Sequence, residues 1–197
     1  MLKEVIRTLK ARTALPVEVS EIAEVIVGKG CTDVIYFRGI DSEDTSTIHG
    51  AFWRYTRHPG VYAEPEFISL IPYNNNDTLP WQRVTCAKEM VHIFDSDLER
   101  TDEAEEVVDL LDRLLGRMST DDLGLVDLMA SKDKLALYYC LPLLLPKAAL
   151  DQARAEVDAG RMTAKEVAAI AIMPVGLVRL MLNVQWDTLN GQLEAIG

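Results

Sequence analysis

Three short segments of strand-like composition lie early in the chain, and almost everything after them has helical periodicity. The segments span residues 33–38, 48–55 and 66–73, and each is rich in β-branched or aromatic residues and bounded by Gly, Pro, Asn or Asp. Further along, apolar residues recur every three or four positions. This order predicts an α+β fold in which a small three-stranded, mainly antiparallel sheet packs on a mostly helical body.

The helices have recognisable starts and ends. Thr78 and Pro80 suit the first turn of the helix that follows the third strand. Thr163 and Glu166 form a Thr-x-x-Glu capping box, and Pro142 and Pro146 are expected to break the end of an apolar helical stretch. The predicted helices span residues 3–12, 17–27, 79–94, 101–117, 123–145, 147–160, 163–172 and 174–185.

The chain has 197 residues and a composition that is 49% hydrophobic, so it can bury a large core. We expect a single domain over residues 1–197, with a core over residues 15–150 and C-terminal helices over residues 151–197 packed on it. Cys31, Cys86 and Cys140 are odd in number, widely spaced and set among apolar residues. This pattern indicates reduced thiols in a core, not a disulfide framework or a zinc knuckle.

The net charge of −11 disfavours a purely electrostatic grip on nucleic acid or on an anionic membrane. The N-terminal residues lack the continuous apolar stretch of a secretory signal. The most apolar run, residues 135–145, is too short to span a bilayer. We therefore expect a cytoplasmic protein that makes no use of a membrane.

Residues 83–92 read Arg-Val-Thr-Cys-Ala-Lys-Glu-Met-Val-His, which is close to a zinc-peptidase helix. In the usual His-Glu-x-x-His pattern, two histidines one turn apart bind the metal and the glutamate activates a water molecule. Glu89 and His92 stand at the corresponding offsets, but Lys88 occupies the position of the first ligand. A protonated amine there would repel the cation that an imidazole binds.

With these residues the chain resembles the ImmA/IrrE family of metallopeptidase-like proteins, over roughly residues 15 to 185. Arg83, Thr85 and Ala87 keep the family's frame around the missing histidine, and Asp133, ahead of Leu-Leu-Leu-Pro146, falls on the third-ligand position. The resemblance implies a zincin-like fold, with Glu89 as general base and His92 and Asp133 as metal ligands. It also implies a role in prokaryotic or phage regulation, because the family often acts on transcriptional regulators.

Three interpretations of this helix are open. Lys88, Glu89 and His92 could form an ordinary solvated helix face. They could belong to a working zinc site, in which Lys88 coordinates after losing its proton. We favour charge replacement, in which the Lys88 ammonium lies between Glu89 and Asp133 and takes the place of the metal.

Other polar residues are weaker candidates for a functional site. His49, in a predicted strand, and His58, in a turn, could supply substitute ligands but suit ordinary hydrogen bonding equally well. Arg54, Tyr55 and Arg57 could bind a small anion, although a solvated loop is the simpler interpretation.

Two helical segments could in principle contact a nucleic acid or a protein partner. Residues 163–172 and 174–185 resemble a helix-turn-helix, but the second helix is too apolar for a DNA groove and favours a core or a protein interface. We therefore do not expect direct nucleic-acid binding. The acidic helix over residues 101–117 suits either a solvated outer face or docking to a basic partner.

These observations favour a non-catalytic or weakly active ImmA/IrrE-like pseudoenzyme that binds a protein partner, such as a transcriptional regulator in a stress response. We expect no bound cofactor, with zinc as the alternative. One alternative function is an active zinc-dependent endopeptidase with an altered ligand set. The other is a structural domain that forms a homodimer through its apolar C-terminal helices.

Overall fold

The computed structural model describes residues 1–41, 49–60, 62–95 and 125–196, with side chains omitted for residues 125–133 and 192–196. Two helices precede the sheet, α1 (Leu2–Leu9) and α2 (Val19–Gly28). The strands are β1 (Val34–Ile40), β2 (Trp53–Arg57) and β3 (Glu66–Asn74). The later helices are α3 (Leu79–Val91), α4 (Leu125–Leu144), α5 (Lys147–Asp158), α6 (Ala164–Ala171), α7 (Val175–Leu182) and α8 (Gln185–Ile196). The predicted α+β class is confirmed.

The sheet has the strand order β1-β3-β2, with the last strand in the middle. β3 runs parallel to β1 and antiparallel to β2, so the prediction of a mainly antiparallel sheet is wrong. The parallel pairing arises because the chain leaves β1, returns along the far edge as β2, and only then enters the centre. The second strand was also predicted too early: Gly50 makes only an isolated bridge to Tyr73, and the ladder begins at Trp53.

α3 lies at the centre of the molecule, because it packs against β3 and α2 and also against α4. A buried apolar cluster extends from Val5 in α1 to Trp186 in α8 and includes Ile71 of the sheet. The predicted helix over residues 79–94 is confirmed, except that its last turn, His92–Phe94, is a 3₁₀ helix. The predicted division of the chain near residue 150 stays a prediction.

Two expectations about helix ends are wrong. Pro142 lies inside α4, and only Pro146 stands beyond its end. The last predicted helix stops at Leu182, because Asn183 is extended and its side-chain oxygen accepts a hydrogen bond from the Gln185 amide at 2.9 Å. This asparagine cap begins α8, a helix that was not predicted. The predicted acidic helix over residues 101–117 lies outside the described residues.

The C-terminal helices turn their apolar faces inward. Val178 and Met181 of α7 are fully buried, which confirms that this helix contributes to a core. The capping box before α6 is also confirmed, since the Glu166 amide donates to Thr163 Oγ1 at 3.3 Å and the Thr163 amide donates to Glu166 Oε2 at 2.7 Å. Among the helices that the structure describes, none is both long and apolar enough to cross a membrane.

Candidate functional site

Lys88 and Glu89 form an ion pair on α3, with Lys88 Nζ 3.0 Å from Glu89 Oε1. The Glu89 side chain is only 6% exposed and the Lys88 side chain 21%. Thr85, one turn earlier, is also buried. The interpretation of these residues as a solvated helix face is therefore wrong, because the sheet and α4 enclose α3 from both sides.

The segment that precedes β2 crosses α3 at Thr85 and Glu89, and Gly50 makes the close approach possible. A Cβ atom at Gly50 would lie 2.3 Å from Thr85 Cγ2, 3.0 Å from the Pro72 carbonyl oxygen and 3.7 Å from Glu89 Cγ. A separation of 2.3 Å is far inside van der Waals contact, so a side chain at this position would force the segment away from the helix. Gly50 therefore lets the backbone cover the buried glutamate.

Replacing Gly50 by alanine is expected to lower the free energy of unfolding by about 1–2 kcal/mol through steric overlap with Thr85. Thr85→Ser removes the Cγ2 methyl group with which the new Cβ atom would overlap. The double variant should therefore recover part of the loss, although the nearby Pro72 carbonyl will keep it below the wild type. Chemical denaturation of the four proteins measures this coupling. Additive effects of the two substitutions would contradict the contact.

His49 helps to hold the same segment against the start of α3. Its Nδ1 lies 2.9 Å from Asp77 Oδ2, and its carbonyl oxygen accepts a hydrogen bond from the Asn74 amide at 3.0 Å. This placement supports the ordinary hydrogen-bonding role that was one of the two alternatives for His49. His58 lies exposed in the turn after β2.

His92 caps the C-terminal end of α3, and its ring is held by a carboxylate. His92 Nδ1 lies 2.7 Å from Asp95 Oδ2, and the two side chains are 16% and 23% exposed. Histidines that bind metals are commonly oriented by such a carboxylate at the other ring nitrogen. In this orientation a metal would have to bind Nε2.

Asp133 lies on α4, and its side chain is outside the described set. The helix itself runs alongside α3: Ala136 and Cys140, three and seven residues further on, are buried, and Cys140 Sγ lies 3.9 Å from the Val84 carbonyl oxygen. Among the described side chains, no group of three His, Cys, Asp or Glu residues is arranged to hold a metal ion. The contact of Lys88 with Asp133 and the ligand roles of His92 and Asp133 stay predictions.

Arg83 anchors α3 to the N-terminal part of the chain, a role that the sequence did not reveal. Its Nη2 donates to the Val17 carbonyl oxygen at 2.6 Å, and its Nη1 donates to Glu18 Oε2 at 2.8 Å. Glu18 is also the N-cap of α2. The one sequence signal for this role was the presence of an arginine on a helix whose residues are mostly apolar or small.

Arg54 and Arg57 of β2 are both paired with carboxylates. Arg54 Nη2 donates to Asp33 Oδ1 at 2.7 Å, and the buried Asp33 also accepts from Ser69 Oγ at 2.6 Å. Arg57 Nη2 donates to Glu66 Oε2 at 2.6 Å. These pairs join β2 to β3 and to the residue just before β1, so the arginines help to hold the sheet together. They therefore do not lie in a solvated loop, and the small-anion site considered as its alternative stays a prediction.

The three cysteines are free, as expected, although only Cys86 and Cys140 are buried and Cys31 is half-buried. Burial, and to a smaller extent the nearby Glu89 carboxylate, raises the pKa of the Cys86 thiol to about 12. Cys86 is therefore protonated at neutral pH, as suits a core residue.

No protein-family model matches this sequence, and neither a curated protein nor a solved structure resembles the chain at a significant level. The similarity to the ImmA/IrrE family stays a prediction that rests on the motif residues themselves.

Proposed function

We propose that this chain is a degenerate ImmA/IrrE-like protein that acts by binding a protein partner and does not hydrolyse peptides. The observation that carries the proposal is the ion pair between Lys88 and Glu89, at 3.0 Å on the buried side of α3. The cation stands at the position of the first metal ligand. The carboxylate stands at the position of the general base.

Such a pair opposes zinc hydrolysis in two ways. The ammonium repels a divalent cation, and it also neutralises the carboxylate that would accept a proton from a metal-bound water. The same pair suits a protein that keeps the shape of the site without metal, because a buried carboxylate needs a nearby cation. Gly50 and Arg83 support this shape, because Gly50 lets the segment before β2 lie against α3 and Arg83 ties α2 to α3.

The partner class comes from the family resemblance. A transcriptional regulator is the expected partner, and its recognition would regulate a stress or mobile-element response. To test this, the purified chain is titrated with candidate repressors from its own genome by isothermal calorimetry. We expect binding that survives Glu89→Gln, with the repressor still full-length on a gel afterwards. Cleavage that Glu89→Gln abolishes would contradict the proposal.

One observation favours a second candidate, a zinc endopeptidase with an altered ligand set. The short contact between His92 Nδ1 and Asp95, 2.7 Å, is the kind of support that metal-bound histidines have. In this candidate His92 and Asp133 bind the metal, Glu89 is the general base, and Lys88 must lose its proton to coordinate.

Restoring the family's histidine separates the two candidates. After dialysis, we expect wild-type protein to hold far less than one zinc per chain, and Lys88→His to hold close to one, because an imidazole replaces a cation at the ligand position. Zinc is measured by inductively coupled plasma mass spectrometry. Lys88→His with His92→Ala is the control and should lose the metal.

Other outcomes correct the proposal in defined ways. Stoichiometric zinc in wild-type protein, together with cleavage of a peptide library, would establish the peptidase instead. If Lys88→His folds but retains no zinc, the alignment of Lys88, His92 and Asp133 is wrong.

A further inference from the structure

β1 lies at an open edge of the sheet, because the strand order β1-β3-β2 leaves it with one neighbouring strand. The Asn75 amide donates to the Ile40 carbonyl oxygen at 2.8 Å, so the peptide groups of Ile40 face β3. Peptide groups of alternate residues point to opposite sides of a strand. Those of Ile35, Phe37 and Gly39 therefore point away from β3.

These three residues define the open edge of β1. Within the part of the chain that the structure describes, no group hydrogen-bonds to their outward N–H and C=O groups. Such groups recur at every second residue, about every 6.7 Å, which is also the repeat of another extended polypeptide. A row of unpaired peptide groups is a template for pairing with a further strand. The chemistry of the open edge thus indicates its class of ligand, an extended peptide.

β1 lacks the features that usually protect an edge strand from such pairing. It has seven residues, Val34–Ile40, without a proline, and its register with β3 continues through all seven without a bulge. Its inner face is apolar, since Ile35 and Phe37 are half-buried and pack against the core. β2, the other edge strand, is shorter at five residues and carries two arginines. Of the two edges, β1 therefore suits a further strand better.

Side chains on the two faces of β1 determine which peptide sequence the open edge accepts. On the inner face, residues opposite Ile35 and Phe37 would extend the core, which favours apolar residues at alternate positions of the peptide. Arg38 is exposed on the other face and has no ion-pair partner among the described residues. A carboxylate directly across from Arg38 would provide that partner.

We propose that the open edge of β1 binds an extended segment of a partner protein as an additional strand of the sheet. The segment has alternating apolar residues and an acidic residue beside Arg38. Backbone pairing supplies the affinity of such a complex, and the alternate side chains supply its specificity. This inference goes beyond the proposed function and does not depend on it. The segment that covers Glu89 leads into β2, at the opposite edge of the sheet.

The probe is a blocked nine-residue peptide in which threonine alternates with valine, with threonine at both ends and the central threonine replaced by aspartate. Isothermal calorimetry measures its binding to the full-length chain. In an antiparallel pair, the more stable arrangement, opposite residues share a face, so the valine amides would face β1. N-methylation of the two valines beside the aspartate should raise the dissociation constant about 30-fold, because two hydrogen bonds are lost. N-methylation of the next two threonines is the matched control and should change it less than about threefold.

Amide hydrogen exchange, followed by NMR, locates the peptide on the protein. The amides of Ile35, Phe37 and Gly39 should exchange more slowly when the peptide is bound, because they gain acceptors. The amides of Tyr36 and Arg38 face β3 and serve as the internal control.

A charge exchange tests the position of the acidic residue. Arg38→Glu should weaken the aspartate peptide about 5- to 10-fold, and a lysine in place of the aspartate should restore the binding. This recovery also shows that the variant is folded.

Several outcomes would overturn the proposal. One is a wild-type chain that does not bind the peptide, and another is binding that both methylated peptides share equally. Binding that only the control methylation weakens would support a strand parallel to β1. Protection of the three edge amides that rises with protein concentration, without peptide, would assign the open edge to a second copy and overturn the proposal.

Discussion

Replacing Arg83 by methionine is expected to lower the free energy of unfolding by about 3 kcal/mol, the largest stability effect that we predict. The Arg83 side chain is only 6% exposed, and methionine fills a similar volume without hydrogen-bond donors. The Val17 carbonyl oxygen would lose the bond that Arg83 Nη2 donates at 2.6 Å. Glu18, the N-cap of α2, would lose its cation at 2.8 Å, so the attachment of α2 to α3 should loosen.

Thermal and chemical denaturation measure the effect, which corresponds to a fall in Tm of about 6–12 °C. Arg161→Met is the matched control, because Arg161 also pairs with a glutamate, at 2.6 Å, but its side chain is 61% exposed. It should change stability far less, since solvent screens such a pair. Arg83→Lys keeps the charge but loses the forked geometry of the guanidinium group. Its loss of stability should therefore lie between those of Arg83→Met and Arg161→Met. Equal losses at Arg83 and Arg161 would show that burial of the anchor is irrelevant.

Replacing Lys88 by methionine is expected to lower the free energy of unfolding by about 2 kcal/mol, because the Glu89 carboxylate would remain buried without its cation. The effect should be smaller than that at Arg83, since 21% of the Lys88 side chain is exposed to water. The expected order is therefore Arg83→Met, then Lys88→Met, then substitutions of exposed lysines.

A double-mutant cycle with Glu89→Gln isolates the pair. Lys88→Met combined with Glu89→Gln should cost less than the sum of the two single changes, by about 1 kcal/mol or more. Lys165→Met, on an exposed position of α6, is the matched control and should stay within about 0.5 kcal/mol of the wild type. Additive single effects would mean that the contact seen at 3.0 Å contributes nothing to stability and would argue against charge replacement.

Local sequence signals predicted the elements that depend on local chemistry. The Thr163 and Glu166 pair began α6 as expected, because both partners of a capping box lie within one turn. Thr78 is the N-cap of α3, with Pro80 in the first turn, since proline suits the start of a helix. The three strands were found because β-branched and aromatic residues mark each of them.

Long-range contacts explain what was missed. The need for glycine at residue 50 arises from Thr85, thirty-five positions away, and the anchor at Arg83 is defined by Val17 and Glu18. The strand order could not be read from composition, because the pairing of β1 with β3 depends on where the chain re-enters the sheet. Asn183, by contrast, had a local signal: an asparagine that begins a new helix could have been recognised as an N-cap.

By itself, the sequence determined the α+β class, most helix starts, and the occurrence of Lys88, Glu89 and His92 on one helix, because propensity and spacing act over a few residues. Only the tertiary structure decided that this helix is enclosed, that the lysine and glutamate pair at 3.0 Å, and that one face of the sheet leaves Trp53 and Tyr36 exposed. Burial depends on which elements pack together. Lys88 and Glu89 would be solvated on an outer helix, whereas on α3 they form a largely buried ion pair.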